Sequence, residues 1–324
     1  MKIRNWLWSA AGAVVALGLC SDPSAASEPL RVGKPQGEVF SFVPLDIGIQ
    51  EGIFKKHGIE VVGLDLGGAA KLQQAMIAQA IDIGLGSGPA LSFIAKGAPQ
   101  LGIAAMAGRP LIMTLIVAPN GPVKTIADLK GKTVSISAPG GVPEWLVREL
   151  SRQQGWGPDG IKMVGLGADS AQIAALRTGQ VVGFPNDIGV ATKLQDEGVA
   201  HILVHFGDII PTFIMHVIFA TNDVMEKRPD DVRAFLAGWF DTIHFMKQNK
   251  AEVVRIGASV THVSPDVEGR VYDATMAMFL DDGHFDPKAT AILAKSFVEL
   301  GLLPTEPDMT KLYTERFLPP VAAK

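Results

Sequence analysis

Two stretches of this chain follow one plan. "DIGLGSGPALSFIAKGA", Asp82 to Ala98, runs an apolar strand into Gly86, Ser87, Gly88 and Pro89 and then into an alanine-rich helix; "VVGFPNDIGVATKLQDEG", Val181 to Gly198, does the same about a hundred residues later. Around them, short strand-like runs bounded by glycine or proline alternate with helical spacing. Leu30 to Gly33, Glu60 to Leu64, Ile81 to Leu85 and Leu101 to Ala105 form a first series. Thr133 to Ser137, Ile161 to Val164, Val181 to Phe184 and His201 to Val204 form a second, with helices expected over Pro143 to Gln154, Ala171 to Thr178 and Ile188 to Gly198. Such alternation predicts an α/β fold with mainly parallel sheets covered by helices on both faces. Gly68, Gln73, Ala75 and Gly84 have counterparts 99 positions on at Gly167, Gln172, Ala174 and Gly183, which reads as two similar lobes. Beyond Asn222 the pattern turns helical: Val224 to Asn249, Ala251 to Ala258, Asp266 to Phe279 and Pro287 to Leu300, with a Trp and Phe stripe at core spacing.

Met1 to Ala26 reads as a cleaved export signal. Lys2 and Arg4 open it, an apolar run of about 14 residues follows, and Ser24-Ala25-Ala26 offers a small-residue cleavage site. That run is shorter than the roughly 20 residues that span a bilayer, so the expectation is a soluble, exported protein. Two alternatives are an uncleaved anchor and lipidation at Cys20, for which Leu17 and Gly18 are suitable but Leu19 is bulky. Cys20 is the single cysteine, so cleavage after Ala26 removes disulfides, zinc–thiolate clusters and thiol catalysis together. A net charge of −4 with no basic cluster points away from nucleic acid and from acidic membrane surfaces.

Enzyme signatures are missing. There is no G-x-S-x-G elbow, no G-x-x-x-x-G-K-[ST] loop and no H-E-x-x-H pair, and "GLGSGP" and "GLGADS" both lack the third glycine of a dinucleotide fingerprint. Of the seven histidines only His201 and His205 are close, and on a strand residues four apart stand roughly 13 Å apart, a poor metal pair. No cofactor and no metal are expected.

The segment Phe42 to Pro99, with Pro44-Leu45, "GIFKK" from Gly52, Gly67-Gly68, "DIGLGSGPAL" and "KGAP", resembles the periplasmic substrate-binding proteins of ABC importers of the nitrate, sulfonate and taurine group, a family that includes thiamin-pyrimidine binders. "IADLKGKTVSISAPGG" from Ile126 and "ALRTGQVVG" carry the likeness onward to about Thr221. The resemblance implies a two-lobed periplasmic binding fold of type II character, closing on a small-molecule ligand and delivering it, as a monomer in the periplasm, to an inner-membrane ABC permease with its cytoplasmic ATPase. It also implies lobes at residues 27–108, 109–215 and 216–324, with the last part returning to the first lobe. Asp46, and "GFPNDIGV" after the second repeat strand, depart from the family pattern. An enzyme of thiamin-pyrimidine synthesis type, and a partner of a sensor, are the alternatives.

Open α/β sheets bind ligands beyond the carboxyl ends of their strands, where helix starts offer unpaired N–H groups. That places Ser87 and Gly88 in one lobe against Ser137, Gly140 and Gly141 in the other, as cradles for a small organic anion. Gln36, Phe40 and Ser41 after the first strand, and the Gly68 turn, are expected on the cleft floor. Arg109 in the first crossover, Asp187 after the second repeat strand and His216 in the second crossover complete the candidate ligand-binding set. No catalytic residue is assigned.

Overall fold

The computed structural model describes residues 28–320, so the expected export signal and Cys20 lie outside the described residues. In chain order the strands are β1 (Leu30–Lys34), β2 (Val61–Asp65), β3 (Ile83–Ser87), β4 (Gln100–Ala107), β5 (Met113–Val117), β6 (Thr133–Ile136), β7 (Lys162–Gly165), β8 (Gly183–Asp187), β9 (His201–His205) and β10 (His216–Thr221). The helices are α1 (Val43–Gln50), α2 (Ile53–Lys56), α3 (Ala69–Ile77), α4 (Leu91–Ala95), α5 (Val142–Gln153), α6 (Asp169–Arg177), α7 (Ile188–Asp196), α8 (Phe206–Ile209), α9 (Asn222–Lys227), α10 (Pro229–Gln248), α11 (Lys250–Thr261), α12 (Pro265–Thr275) and α13 (Pro287–Glu299). Among the described residues no helix is long and apolar enough to cross a membrane.

A five-stranded sheet has the order β2-β1-β3-β10-β4, and a second region holds β8-β5-β9 beside β6-β7. A hydrogen bond from Val182 N–H to the Thr133 carbonyl (2.9 Å) ties β6 to the start of β8. β1 is parallel to β2 and β3, and β6 to β7, as the alternation requires. β10 departs from this, running antiparallel to β3 and β4, and so does β5, antiparallel to β8 and β9. Each is the first strand after a passage from one sheet to the other. A parallel neighbour needs a long crossover, usually a helix, to bring the chain back to the starting edge. The short links at 108–112 and 210–215 instead enter the next sheet from the edge at which its other strands end.

The strand after each repeat helix also reaches further than the sequence pattern indicates. β3 includes Ser87 and β8 includes Asp187, because the reversed strands pair with them as His216↔Ser87 and Met113↔Asp187. The internal repeat therefore has a spacing of 100, with α3 over 69–77 matching α6 over 169–177 and β3 from 83 matching β8 from 183. The left-handed turns agree, Gly67 with Gly167 and Gln79 with Gly179. The spacing of 99 from Gln73 and Gln172 is thus one residue off, although both glutamines are buried and bonded, Gln73 to Gln100 and Gln172 to Ser135.

The glycines of β3 are explained by what fills their space. A Cβ at Gly84 would lie 2.9 Å from Met76 Sδ, and one at Gly86 3.0 Å from the Phe219 ring, so α3 and β10 close onto bare backbone there. All six residues of β10 and all five of β5 are buried, as expected of strands covered on both faces. The expected single helix from Val224 is two. Arg228 (φ −133°, ψ 50°) leaves the helical region because a residue before proline is sterically barred from it. The Trp and Phe stripe on α10 is core, with Phe235, Leu236, Trp239 and Ile243 all at 0% exposure, and Phe235 stacks on Phe54 at 5.2 Å.

Candidate functional site between the strand ends

Sheet register decides which side chains share a face. Hypothetical Cβ atoms on Gly33, Gly84 and Gly86 all point at Leu72 of α3. Side chains alternate along a strand, so Lys34 and Ser87 face the opposite side, toward α1. His216, paired directly with Ser87, shares their face. The short turn Phe40–Phe42 lies over this edge. Phe42 meets the His216 ring edge-on at 5.2 Å, and Phe40 sits beside Phe279 at 6.2 Å.

Two polar atoms in this cluster have no hydrogen-bond partner among the described residues, Ser41 Oγ and His216 Nδ1, and both residues are buried. Burial pushes the His216 imidazole down to about 3, so the ring is neutral at any ordinary pH. Lys34 is also buried, its ammonium 2.7 Å from Asp46 Oδ2 on α1. Sequence reading passed over Lys34, since a lysine at a strand end ordinarily reads as solvated; the only signal was Asp46 standing against the family pattern.

Gly88 is committed to the fold. Its N–H donates to the Met215 carbonyl (3.0 Å), and a Cβ there would lie 2.1 Å from the Ile214 carbonyl oxygen. Gly88→Ala should therefore destabilise the chain by about 2 kcal/mol and lower its melting temperature by roughly 5 °C, measured by circular dichroism. An unchanged melt would mean that the 211–215 segment shifts freely. Gly68 starts α3 with φ 147° and has open space around its Cβ position. Gln36 is exposed, in a loop anchored by a bond from Gly37 N–H to Asp65 (3.0 Å).

In the second region Asp187 caps α7, its Oδ1 accepting from Gly189 N–H at 2.7 Å, while Oδ2 is buried and has no partner among the described residues. Burial pushes this carboxyl up to about 7 against the opposing Gly189 bond, and the nearby charges of Glu268 and Asp169 add to the rise. Ser137 is exposed, and its carbonyl accepts from Gly167 N–H (3.0 Å). Gly141 is the N-cap of α5 and Gly140 has φ 81°, a left-handed turn that favours glycine. The Gly140 N–H donates to Glu144 Oε2 (2.8 Å), so this cradle already holds a carboxylate of its own helix, itself bonded to Arg148 (2.9 Å). Arg109 donates through Nε and Nη2 to the Gly207 carbonyl, at 3.2 and 2.6 Å. It thereby ties one crossing to the approach of the other.

The two sets of strand ends adjoin one helix. Positions at Gly88 and Gly140 lie 3.2 and 3.3 Å from Leu293 and Leu302, and Trp145 Nε1 donates to Glu299 at 3.0 Å. Leu293 and Glu299 are about 9 Å apart along α13, which brings the Ser87–Gly88 turn and the first turns of α5 to one flank. Trp145 also stacks on Phe213 of the second crossing (4.3 Å, 14°). On the other flank Arg270 of α12 pairs with Asp196 of α7. Recesses lie beside these contacts: one of about 310 Å³ at Trp145, Arg152, Thr212 and Lys295, and a more open one of about 600 Å³ at Lys247, Met276, Phe279 and Asp281. Neither is lined by the strand-end residues.

The family model described as NMT1/THI5 like matches residues 39–253. No curated protein matches the sequence. Among solved structures, the chain is similar to the alkanesulfonate-binding protein SsuA from Xanthomonas axonopodis pv. citri bound to MOPS, with a TM-score of 0.74 at 20% identity over 90% of this chain and 99% of that one. It is similar to the periplasmic aliphatic sulphonate binding protein SsuA from Escherichia coli, with a TM-score of 0.73 at 19% identity over 89% and 92%. It also resembles the desulfurization enzyme DSZB, with a TM-score of 0.64 at 16% identity over 90% and 97%. At these identities the likeness establishes the two-lobed periplasmic-binding-protein fold.

Proposed function

The chain belongs to the NMT1/THI5-like family, and on that premise we propose that it is an extracytoplasmic solute-binding protein that closes its two lobes on a small organic anion carrying a nitrogen or aromatic part, for delivery to an ABC permease. One observation carries this reading. Ser41 Oγ in the turn over one set of strand ends, His216 Nδ1 on that set and Asp187 Oδ2 on the other are buried polar atoms without a partner among the described residues. Each such atom costs about 1–3 kcal/mol while unpaired, and a ligand that pairs with it recovers that cost. In the bound state neutral His216 gives or takes one hydrogen bond, and Asp187, poised near neutrality, takes an amine or ring N–H. Closure bends the chain at 108–112 and 210–215, the limits of the lobe at residues 109–215. Arg109 holds the two crossings in step.

Thermal-shift and native mass-spectrometric titration with taurine, MOPS, nitrate, benzoate and an aminopyrimidine tests the proposal. Saturable binding of one of them without turnover is the expected result. Chemical conversion of a bound probe would favour the enzyme reading that the likeness to DSZB raises. Absence of binding by the whole panel would reject the reading.

A further inference from the structure

We propose that Lys34 is the charge partner of the solute, its ammonium receiving the ligand's carboxylate or sulfonate together with the Ser41 hydroxyl. This rests on the solute-binding reading above and names the group that selects the ligand's charge. Lys34 ends β1, its side chain is 7% exposed, and Asp46 Oδ2 at 2.7 Å is its one hydrogen-bond partner among the described residues. An ammonium has three donors, so two remain for a second acceptor. Continuing the register of β1 with β3 places Lys34 level with Leu85, two residues and about 7 Å short of Ser87 along the strands, a gap of the size a small organic anion spans. It projects on the face that carries Ser87 and His216, the face roofed by the turn that holds the unpartnered Ser41 hydroxyl.

Lys34 and Asp46 are a mismatched pair in their surroundings. Asp46 is 22% exposed on α1, whereas the Lys34 side chain is 7% exposed at the end of β1, across from Asp65 of β2. A buried ion pair is commonly no more stabilising than an apolar pair of the same volume, so stability alone gives little reason for a lysine here. An anion at the strand ends supplies the reason. Asp46 holds the ammonium in place and, by like charge, opposes the incoming anion, so the two residues have opposite effects on binding.

The experiment compares the native chain with Lys34→Met and Asp46→Asn for the tightest-binding anion among taurine, MOPS, nitrate and benzoate, and compares benzoate with neutral benzamide on the native chain. Lys34→Met should weaken anion binding at least tenfold, Asp46→Asn, which removes the opposing charge and keeps an oxygen for the ammonium, should tighten it at least threefold, and benzamide should bind at least tenfold more weakly than benzoate. Anion binding by folded Lys34→Met at native strength would overturn the inference while leaving the solute-binding reading intact. The same holds for equal loss in both variants, for benzamide binding as well as benzoate, or for a native chain that takes only the aminopyrimidine. Should Lys34→Met fail to fold, the Asp46→Asn and benzamide arms still decide. A native chain that binds none of the panel removes both the reading and the inference.

Discussion

Glu268→Gln should make the protein about 3 kcal/mol more stable than the native chain at pH 8 while leaving it unchanged near pH 4.5. Glu268 of α12 is 1% exposed, and burial lifts its carboxyl to about 7, with the Thr261 hydroxyl bond pulling the other way. The unfolded chain loses this proton near the ordinary 4.5, whereas the folded chain keeps it to about 7. Between those values the folded state binds more protons, so stability is greatest below 4.5, falls as the pH rises and levels off above 7. The difference corresponds to about 3 kcal/mol. Glutamine preserves the shape that fills the space over Gly257, where a Cβ would lie 2.1 Å from Glu268 Oε1, and it retains an acceptor for Thr261. Urea unfolding at pH 4.5, 6 and 8 measures the effect, and parallel profiles for variant and native chain would refute it. Asp187, raised for the same reason, still contributes a slope of the same sign in the variant, offset below about pH 6.5 by His216.

His216→Phe should act at the other end of the pH range. The buried imidazole is held neutral down to about 3, whereas the unfolded chain takes up its proton near 6.5. This contribution to stability is whole above 6.5 and is lost as the pH falls toward 3. At pH 4 the loss is about 3 kcal/mol, so the phenylalanine variant should exceed the native chain by that amount there and match it near pH 8. The aromatic contact with Phe42 survives the exchange, and the unpartnered Nδ1 is removed. If His216 also touches the solute, the stabilised variant binds it at least tenfold more weakly, a combination that simple packing does not produce. Equal stability of the two proteins at pH 4 would show that the imidazole is reached by water. Between about pH 4.5 and 6.5 the imidazole effect opposes those of Glu268 and Asp187, so the native profile falls less steeply there than that of His216→Phe, and Glu268→Gln, which keeps one carboxyl against the imidazole, has the flattest profile of the three.

The strand ends were legible because the plan is local. An apolar run, a glycine or proline turn and a helix start are enough to place Ser87 and Asp187 at the edges of two sheets. The reversed strands were not legible, because direction follows from which edge the chain enters, and nothing in "HVIFAT" or "MTLIV" records it. The amides were misjudged for a related reason. Whether the Gly88 N–H is free depends on Met215, 127 residues away and brought close only by the fold. The Gly140 amide could have been assigned, since Glu144 in the first turn of α5 is an ordinary partner for a helix start. Lys34 and Glu268 escaped notice because each sits where an exposed charge is the common outcome, and only packing by α1 and by α11 makes them buried.

The placement of β10 bears on how the chain comes together during synthesis. All strands of the inner region, β5 to β9, lie within residues 113–205, so that half has its full complement once this span exists. The outer sheet lacks the strand between β3 and β4 until residues 216–221 arrive, and until then β4 has no edge to join. The half begun first is therefore the half completed last, and a chain stopped short of His216 would carry a finished inner lobe beside an outer one with a gap at its centre.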